Sequence, residues 1–384
     1  MISPSVSALV DGEVYVPGLP ADHLVDTYGI PADQISKLGS AENPHGTSPL
    51  ARRAVEQVLD RMSIYPEWTS RQLREAIARR YGVTPEGVVC GSGETEVIAL
   101  VIRAFAGPGE PVLMHAPCFP LYRIFATMEN RKPVYIPMGK DFNLEMDRYL
   151  DALGGRPKIA FLTSPHNPSG QLVPEADVRR VCEAAHEDTL VVLDEAYIHY
   201  SETEGSVHLL RDYSNLMVLR TFSKAYGLAG LRVGFGMSGN ASLIEPLRRL
   251  KPTWNVGQLQ LAGAIAGLQD DAHVERAVKT VVEMRGYVAQ QMSRMTRFRM
   301  VELTRQFFPN RNSRPGAEFR HRLRGTAQAR RHREERQPHR GTGITIPAGG
   351  SQPEGSYGPF PQRFKRPARP LNPFCDDPGR TDRY

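Results

Sequence analysis

Between residues 48 and 300 the apolar positions follow two alternating periods. Short apolar runs stand at Val88 to Cys90, Val112 to His115, Val134 to Ile136, Lys158 to Leu162, Leu190 to Leu193 and Leu216 to Leu219. Runs this short and this apolar fit strands buried on both faces. Helix-length segments separate them. Ser48-Pro49 pairs an N-cap with a proline at the first helical position, and Leu50, Val55, Val58, Leu59 and Met62 then fall on one helical face. A second helix is predicted from Ser70 to Tyr81, with Leu73 and Ile77 inward and Gly82 ending it. Further helices are expected over Glu94 to Phe105, Leu121 to Met128, Gln258 to Leu268 and Val274 to Met292. Strands separated by helices imply an α/β chain with a mainly parallel sheet covered on both faces.

The pattern ends near residue 301. Residues 301–384 contain six Leu, Ile and Val together but eleven prolines, too little apolar side chain for a core, and disorder is expected there. This segment also carries the charge. It holds 17 Lys and Arg against 8 Asp and Glu, leaving 31 against 34 for residues 1–300. The net charge of +6 is therefore no argument for nucleic-acid binding by the main part of the chain.

Other bounds follow from composition. Cys90, Cys118, Cys182 and Cys375 lie far apart with no C-x-x-C pair, which fits a reducing compartment and disfavours a zinc ribbon. Residues 1–20 lack a basic start followed by an apolar run, and no stretch approaches the roughly 20 apolar residues of a membrane span. A cytoplasmic protein without a membrane or metal partner is expected.

The candidate chemistry gathers at predicted strand ends. In Thr221-Phe222-Ser223-Lys224-Ala225-Tyr226-Gly227, Lys224 follows one apolar run, and another, Leu231 to Met237, comes shortly after. A lysine becomes nucleophilic only where burial or a neighbouring cation lowers its pKa. Thr221 and Ser223 offer hydroxyls and Arg232 a fixed cation, a set suited to a phosphate beside the amine. Taken alone, the string also describes an exposed loop lysine among turn glycines. Gly91-Ser92-Gly93-Glu94-Thr95 turns from a strand into a helix, where backbone N–H groups attract anions. Ser164-Pro165-His166-Asn167-Pro168-Ser169-Gly170 is a rigid turn that can project Asn167, and no second ligand at metal spacing accompanies His166. Asp194-Glu195 ends a buried run. A magnesium-holding role would require a G-x-x-x-x-G-K-[ST] loop, which the chain lacks. Asp194 could instead pair with a protonated ring nitrogen, or cap the next turn. Phe119, between Pro117 and Pro120, could stack on a planar ring or pack in the core.

Taken in order, the Asn43-Pro44-His45-Gly46, Tyr65-Pro66, Gly93-Glu94-Thr95, Asn167-Pro168-Ser169-Gly170, Asp194-Glu195-Ala196-Tyr197 and Ser223-Lys224 strings, with Arg232, resemble the class I and II aminotransferases. These are pyridoxal 5'-phosphate enzymes of the aspartate-aminotransferase fold, and the likeness is greatest to their histidinol-phosphate aminotransferase-like branch. It covers about residues 38–300. It implies a seven-stranded, mainly parallel sheet between helices. It also implies a large domain over residues 47–270, with a small domain built from residues 1–46 and from a segment entered through the helix of residues 271–300.

The resemblance further implies roles. Lys224 would carry the cofactor as an imine and move the substrate proton. Asp194 would keep the pyridine nitrogen protonated, Asn167 and Tyr197 would bond the ring oxygen, and Phe119 would cover a ring face where relatives often have tyrosine. Gly93, Glu94 and Thr95, with Thr221, Ser223 and Arg232, would hold the phosphate. Asn43 would lie on the substrate side, and Tyr65 would reach the site of a second subunit in a homodimer. The substrates would be an amino acid or histidinol-phosphate-like amine and a 2-oxo acid. A decarboxylase or lyase of the same fold is the alternative.

The likeness stops before the arginine that relatives present to the substrate carboxylate. Leu323-Arg324-Gly325-Thr326 is the nearest string, and it comes too early. The abrupt change at residues 298–302 suggests a shifted reading frame. Otherwise residues 301–384 form a basic arm for an acidic partner such as nucleic acid, on a chain impaired as an enzyme.

Overall fold

The computed structural model describes residues 13–296, apart from 19 and 202. Seven strands form one sheet: β1 Val88–Ser92, β2 Pro111–Ala116, β3 Lys132–Pro137, β4 Ile159–Thr163, β5 Leu190–Asp194, β6 Leu216–Thr221 and β7 Val233–Met237. Their spatial order is β1-β7-β6-β5-β4-β2-β3. From β3 to β6 every pairing is parallel, whereas β7 runs antiparallel to both β6 and β1.

Among the described residues ten α-helices accompany the sheet: α1 Ala21–Tyr28, α2 Pro49–Glu56, α3 Arg71–Tyr81, α4 Glu94–Phe105, α5 Pro120–Met128, α6 Met146–Leu153, α7 Glu175–Ala184, α8 Ala241–Leu250, α9 Gln258–Gly267 and α10 Asp271–Met292. Strand periodicity divides the core between the two faces of the sheet. Leu190 and Val192 join the cluster under α4, α5 and α8, while Val191 and Leu193 join the one under α3, α6, α7 and α9. Full burial of such side chains stabilises by about 1.5–3 kcal/mol each, which accounts for the uninterrupted apolar runs in the sequence.

One expectation needs correction. The helix opened by Ser48, whose hydroxyl accepts the Ala51 N–H at 3.1 Å, stops at Glu56. The chain then tightens into a 3-10 turn at Leu59–Arg61, leaving Leu59 and Met62 41% and 65% exposed, not on an inward face. The apolar residues after Arg232 form a central strand of reversed direction. Only a single 3-10 turn, Ala229–Leu231, and no α-helix intervenes between β6 and β7, too short a connection to cross over the sheet, and the chain returns antiparallel.

Register brings the functional strings to one edge. Ser92 pairs Val233, Thr221 pairs Gly234, Asp194 pairs Leu219, and Thr163 pairs Asp194. The last residues of four parallel strands and the first of β7 thus share one border. Residues 301–384, with Leu323-Arg324-Gly325-Thr326 and the expected basic arm, lie outside the described residues. Among the described residues no helix is long and apolar enough to cross a membrane.

Candidate active site

Gly93, at φ +80°, carries the chain from β1 into α4. A Cβ on Gly93 would stand 2.3 Å from Arg232 Nη2, and one on Gly234 2.2 Å from the Glu94 nitrogen. Both glycines therefore allow Arg232, β7 and the start of α4 to meet. The N–H groups of Glu94 and Thr95 fall in the first helical turn, where no intrahelical acceptor exists and the dipole favours an anion. Arg232 links this turn to the lysine loop, with Nη2 3.5 Å from Thr95 Oγ1 and Nη1 3.5 Å from Ser223 Oγ. Thr221 Oγ1 accepts the Ser223 N–H and donates to the Ser223 hydroxyl, both at 3.1 Å. A guanidinium, hydroxyls and a helix N-terminus around residues without side-chain bulk fit a phosphate monoester.

Lys224 stands beside this cradle. Its Nζ donates to the Ser40 carbonyl at 2.8 Å and lies 5.1 Å from the centre of the Tyr197 ring. Burial lowers its pKa, Arg232 acts in the same direction, and Glu94, Glu42 and Asp194 oppose them. Asn43, expected on the substrate side, donates to the Ala225 carbonyl at 2.9 Å, while its Oδ1 accepts the His45 N–H at 2.9 Å. The N-terminal segment is thereby pinned to the lysine loop.

Asp194 closes β5 and is only 3% exposed. Oδ1 accepts the Ala196 N–H at 2.9 Å and Oδ2 accepts the Tyr122 hydroxyl, which also lies 3.0 Å from Thr163 Oγ1. Burial raises the Asp194 pKa, although these donors favour its charged form. Tyr197 is pushed up to about 12 by burial and by the Asp194 and Glu94 carboxyls. Such a carboxylate, with acceptor capacity left, suits a protonated ring nitrogen. The neighbouring Glu195 serves another purpose: it is buried and pairs with Arg220 at 2.6 Å.

Phe119 caps α5 and meets Tyr122 edge-on at 5.7 Å and Tyr15 at 6.2 Å. Asn167 lines a cavity of about 380 Å³ together with Ala41, Glu42, Tyr197, Tyr200 and Arg285. Tyr65 is not brought to this site within its own chain, for it is 75% exposed and stacked on Trp254 at 4.3 Å.

Three contributors were not foreseen. Tyr122, one turn into α5 beside Phe119, could have been found as a tyrosine on the apolar face of a predicted helix. The Glu94 side chain, as distinct from its backbone, turns toward Asp194. Arg285, from α10, lines the cavity and donates to the Tyr200 carbonyl at 3.2 Å. Nothing in the sequence separates it from Arg276 or Lys279 on the same helix.

Known proteins resemble this chain in sequence and fold. The model of the family "Aminotransferase class I and II" matches residues 33–331. A histidinol-phosphate aminotransferase of Anaeromyxobacter sp. (strain Fw109-5) is 38% identical over 293 residues, 76% of this chain and 79% of that protein. One from Methanosphaera stadtmanae is 35% identical, over 74% of this chain and 77% of that protein. Among solved structures, the histidinol-phosphate aminotransferase of Sinorhizobium meliloti in complex with pyridoxal-5'-phosphate superposes with a TM-score of 0.69 at 24% identity, covering 76% of this chain and 78% of that one. The chain belongs to the class I and II aminotransferases, the pyridoxal-phosphate enzymes that its sequence resembles. It carries their fold.

Proposed function

We propose that this aminotransferase acts on histidinol phosphate or a closely similar phosphate-bearing amine, with a 2-oxo acid as the exchange partner. The names of its relatives support the substrate. The observation that carries the reading is a Lys224 amine whose pKa burial lowers, next in sequence to the Ser223 hydroxyl of an anion cradle and held 5.1 Å from the Tyr197 ring.

Pyridoxal phosphate, when bound, supplies a ring that accepts the electrons left by proton removal. The chain's residues do the rest. Arg232, Ser223, Thr221 and the N–H groups of Glu94 and Thr95, with Gly93 giving them room, bind the phosphate. Asp194 holds a proton at the ring nitrogen. Asn167 and Tyr197 orient the ring through its oxygen, and Phe119 covers one face. Lys224 Nζ would hold the cofactor through its aldehyde carbon, with loss of water, and when freed would move the proton at the substrate's Cα. Arg285, which lines the same cavity as Asn167 and Tyr197, faces the substrate's anionic end. Asn43 keeps the lysine loop in place.

We read the functional unit as a cytoplasmic homodimer in which Tyr65 completes the site of the second copy. The exposure of Tyr65 and its neighbours Met62, Ile64 and Trp68 supports this. The test is a screen of amino donors against 2-oxo acids on pyridoxal-phosphate-loaded protein. Transfer fastest from the phosphate-bearing amine is expected. Carbon dioxide release without transfer, or transfer confined to donors lacking phosphate, would contradict the reading.

A further inference from the structure

Asn167 lines the cavity beside Tyr197, yet its side-chain amide bonds no other residue among those described. Its aim is therefore set by the backbone on either side of it. That backbone is held at His166. The His166 N–H donates to the Gln171 carbonyl at 2.7 Å, and the His166 carbonyl accepts the Gly170 N–H at 2.6 Å. His166 is 3% exposed and its ring reaches forward over the same turn: Nδ1 lies 2.8 Å from Ser169 Oγ, which also accepts the Gln171 N–H at 3.3 Å. The ring rests in turn on the sheet. It meets the His115 ring edge-on at 6.3 Å, His115 stacks on Tyr149 at 4.7 Å, and the Tyr149 hydroxyl donates to the Phe161 carbonyl of β4 at 2.8 Å. A row of side chains thus runs from the strand that leads into the turn, through two histidines, to the serine two residues past Asn167. Nε2 of His166 is buried and has no partner among the described residues, so within the ring Nδ1 alone makes the tie.

We propose that His166 is a positioning residue for Asn167: the bond between its Nδ1 and Ser169 closes the turn and keeps the Asn167 amide directed into the cavity, toward the ring oxygen of the cofactor. The idea rests on the reading of this site as a pyridoxal phosphate site in which Asn167 meets that oxygen. When the turn drifts, the amide loses its angle to the oxygen, and a hydrogen bond weakens steeply once that angle is lost. A residue with a polar atom at the place of Nδ1 should therefore serve as histidine does. Asparagine has one, an oxygen or nitrogen bonded to Cγ. Leucine fills the same place with carbon alone.

The experiment titrates two ligands into the full chain by calorimetry: pyridoxamine 5'-phosphate, which forms no imine with Lys224, and its 3-deoxy analogue, which lacks the ring oxygen. The proteins are wild type, Asn167→Ala, His166→Leu, His166→Asn, Ser169→Ala and the double variant His166→Leu/Asn167→Ala. Circular dichroism checks that each is folded, and Ser169→Ala breaks the same bond from its other end should His166→Leu not fold. His166→Leu and Ser169→Ala should each bind pyridoxamine 5'-phosphate roughly ten-fold more weakly, as expected for a lost hydrogen bond. His166→Asn should bind it as wild type does. The deoxy analogue should bind all of these proteins alike, and the double variant should be no weaker than Asn167→Ala alone, because His166 acts only through Asn167. Unchanged affinity in His166→Leu and Ser169→Ala would overturn the proposal while leaving the cofactor site standing. So would an equal loss for both ligands, or losses that add in the double variant, since His166 would then support the site by another route. Wild-type affinity for both ligands in Asn167→Ala would remove the role of Asn167 and this proposal with it. Failure of wild type to bind either ligand would remove the cofactor reading first.

Discussion

Asn43 donates a 2.9 Å hydrogen bond to the carbonyl of Ala225, the residue after Lys224 and 182 positions away in sequence. The same amide lies 3.4 Å from the Lys224 carbonyl. The segment that carries Asn43 also supplies the Ser40 carbonyl that holds the lysine amine. The Lys224 amine is thus fixed by chain that precedes the sheet altogether.

Asn43→Ala removes the donor while leaving the two loop carbonyls in place. A loss of about 1–3 kcal/mol in unfolding free energy is expected, together with weaker cofactor retention. Chemical denaturation and cofactor dialysis measure the two effects. Unchanged stability with unchanged retention would mean that the contact holds nothing.

Glu195 and Arg220 form an ion pair at 2.6 Å with side chains 1% and 4% exposed, and the Tyr81 ring lies 4.7 Å from the guanidinium. Removing one member leaves the other charged and buried. Glu195→Ala should destabilise the protein by about 3–5 kcal/mol. A simultaneous replacement of both residues by apolar ones of similar volume should cost less. Denaturant midpoints decide the matter, and a double variant worse than the single would contradict it.

Much of this architecture was legible in the sequence because its strands are buried on both faces and its helices carry end signals. Gly82 ends α3 at φ +72°, and helix α4 occupies the expected Glu94–Phe105. The direction of β7 was harder, since a pairing partner leaves no mark on a five-residue strand. The early end of α2 was missed because Val58, Leu59 and Met62 continue its apolar period while the backbone does not. Within the site, the strings of neighbouring residues were readable, whereas contacts over long separations were not. Tyr122 reaches Asp194 across 72 positions. No local pattern distinguishes Glu94 from an ordinary acidic residue in the first turn of a helix, where acids are common.

Gly93→Ala tests the anion cradle. The new Cβ would collide with Arg232 Nη2, and a positive φ strains any side chain. A stability loss of about 1 kcal/mol and a roughly ten-fold or greater loss of phosphate-ester affinity are expected. Pyridoxal, which lacks the phosphate, should bind the variant and wild type alike. Equal loss for both ligands would place the damage elsewhere.

His115 and His166 are each buried, and burial lowers both to about 4, with each helped or opposed by a neighbour: His166 lowers His115, and the Pro117 carbonyl raises His166. Both remain neutral in the folded protein while the unfolded chain takes up protons near the ordinary value of 6.5. Stability is therefore fully present above that value and is lost as pH falls toward about 4, by on the order of 1 kcal/mol per pH unit for each histidine. Denaturant midpoints measured across this window should fall toward acid, and His115→Gln should flatten the slope by about one proton. A flat profile in wild type would show that the rings are hydrated.

The central claim is that Lys224 is the residue that joins the cofactor. Borohydride reduction of pyridoxal-phosphate-loaded protein, followed by peptide mass analysis, tests it most directly. One cofactor per chain on the peptide containing Lys224, with no label and no amino transfer in Lys224→Ala, is the predicted result. Label on a different lysine, or transfer that survives Lys224→Ala, would contradict it.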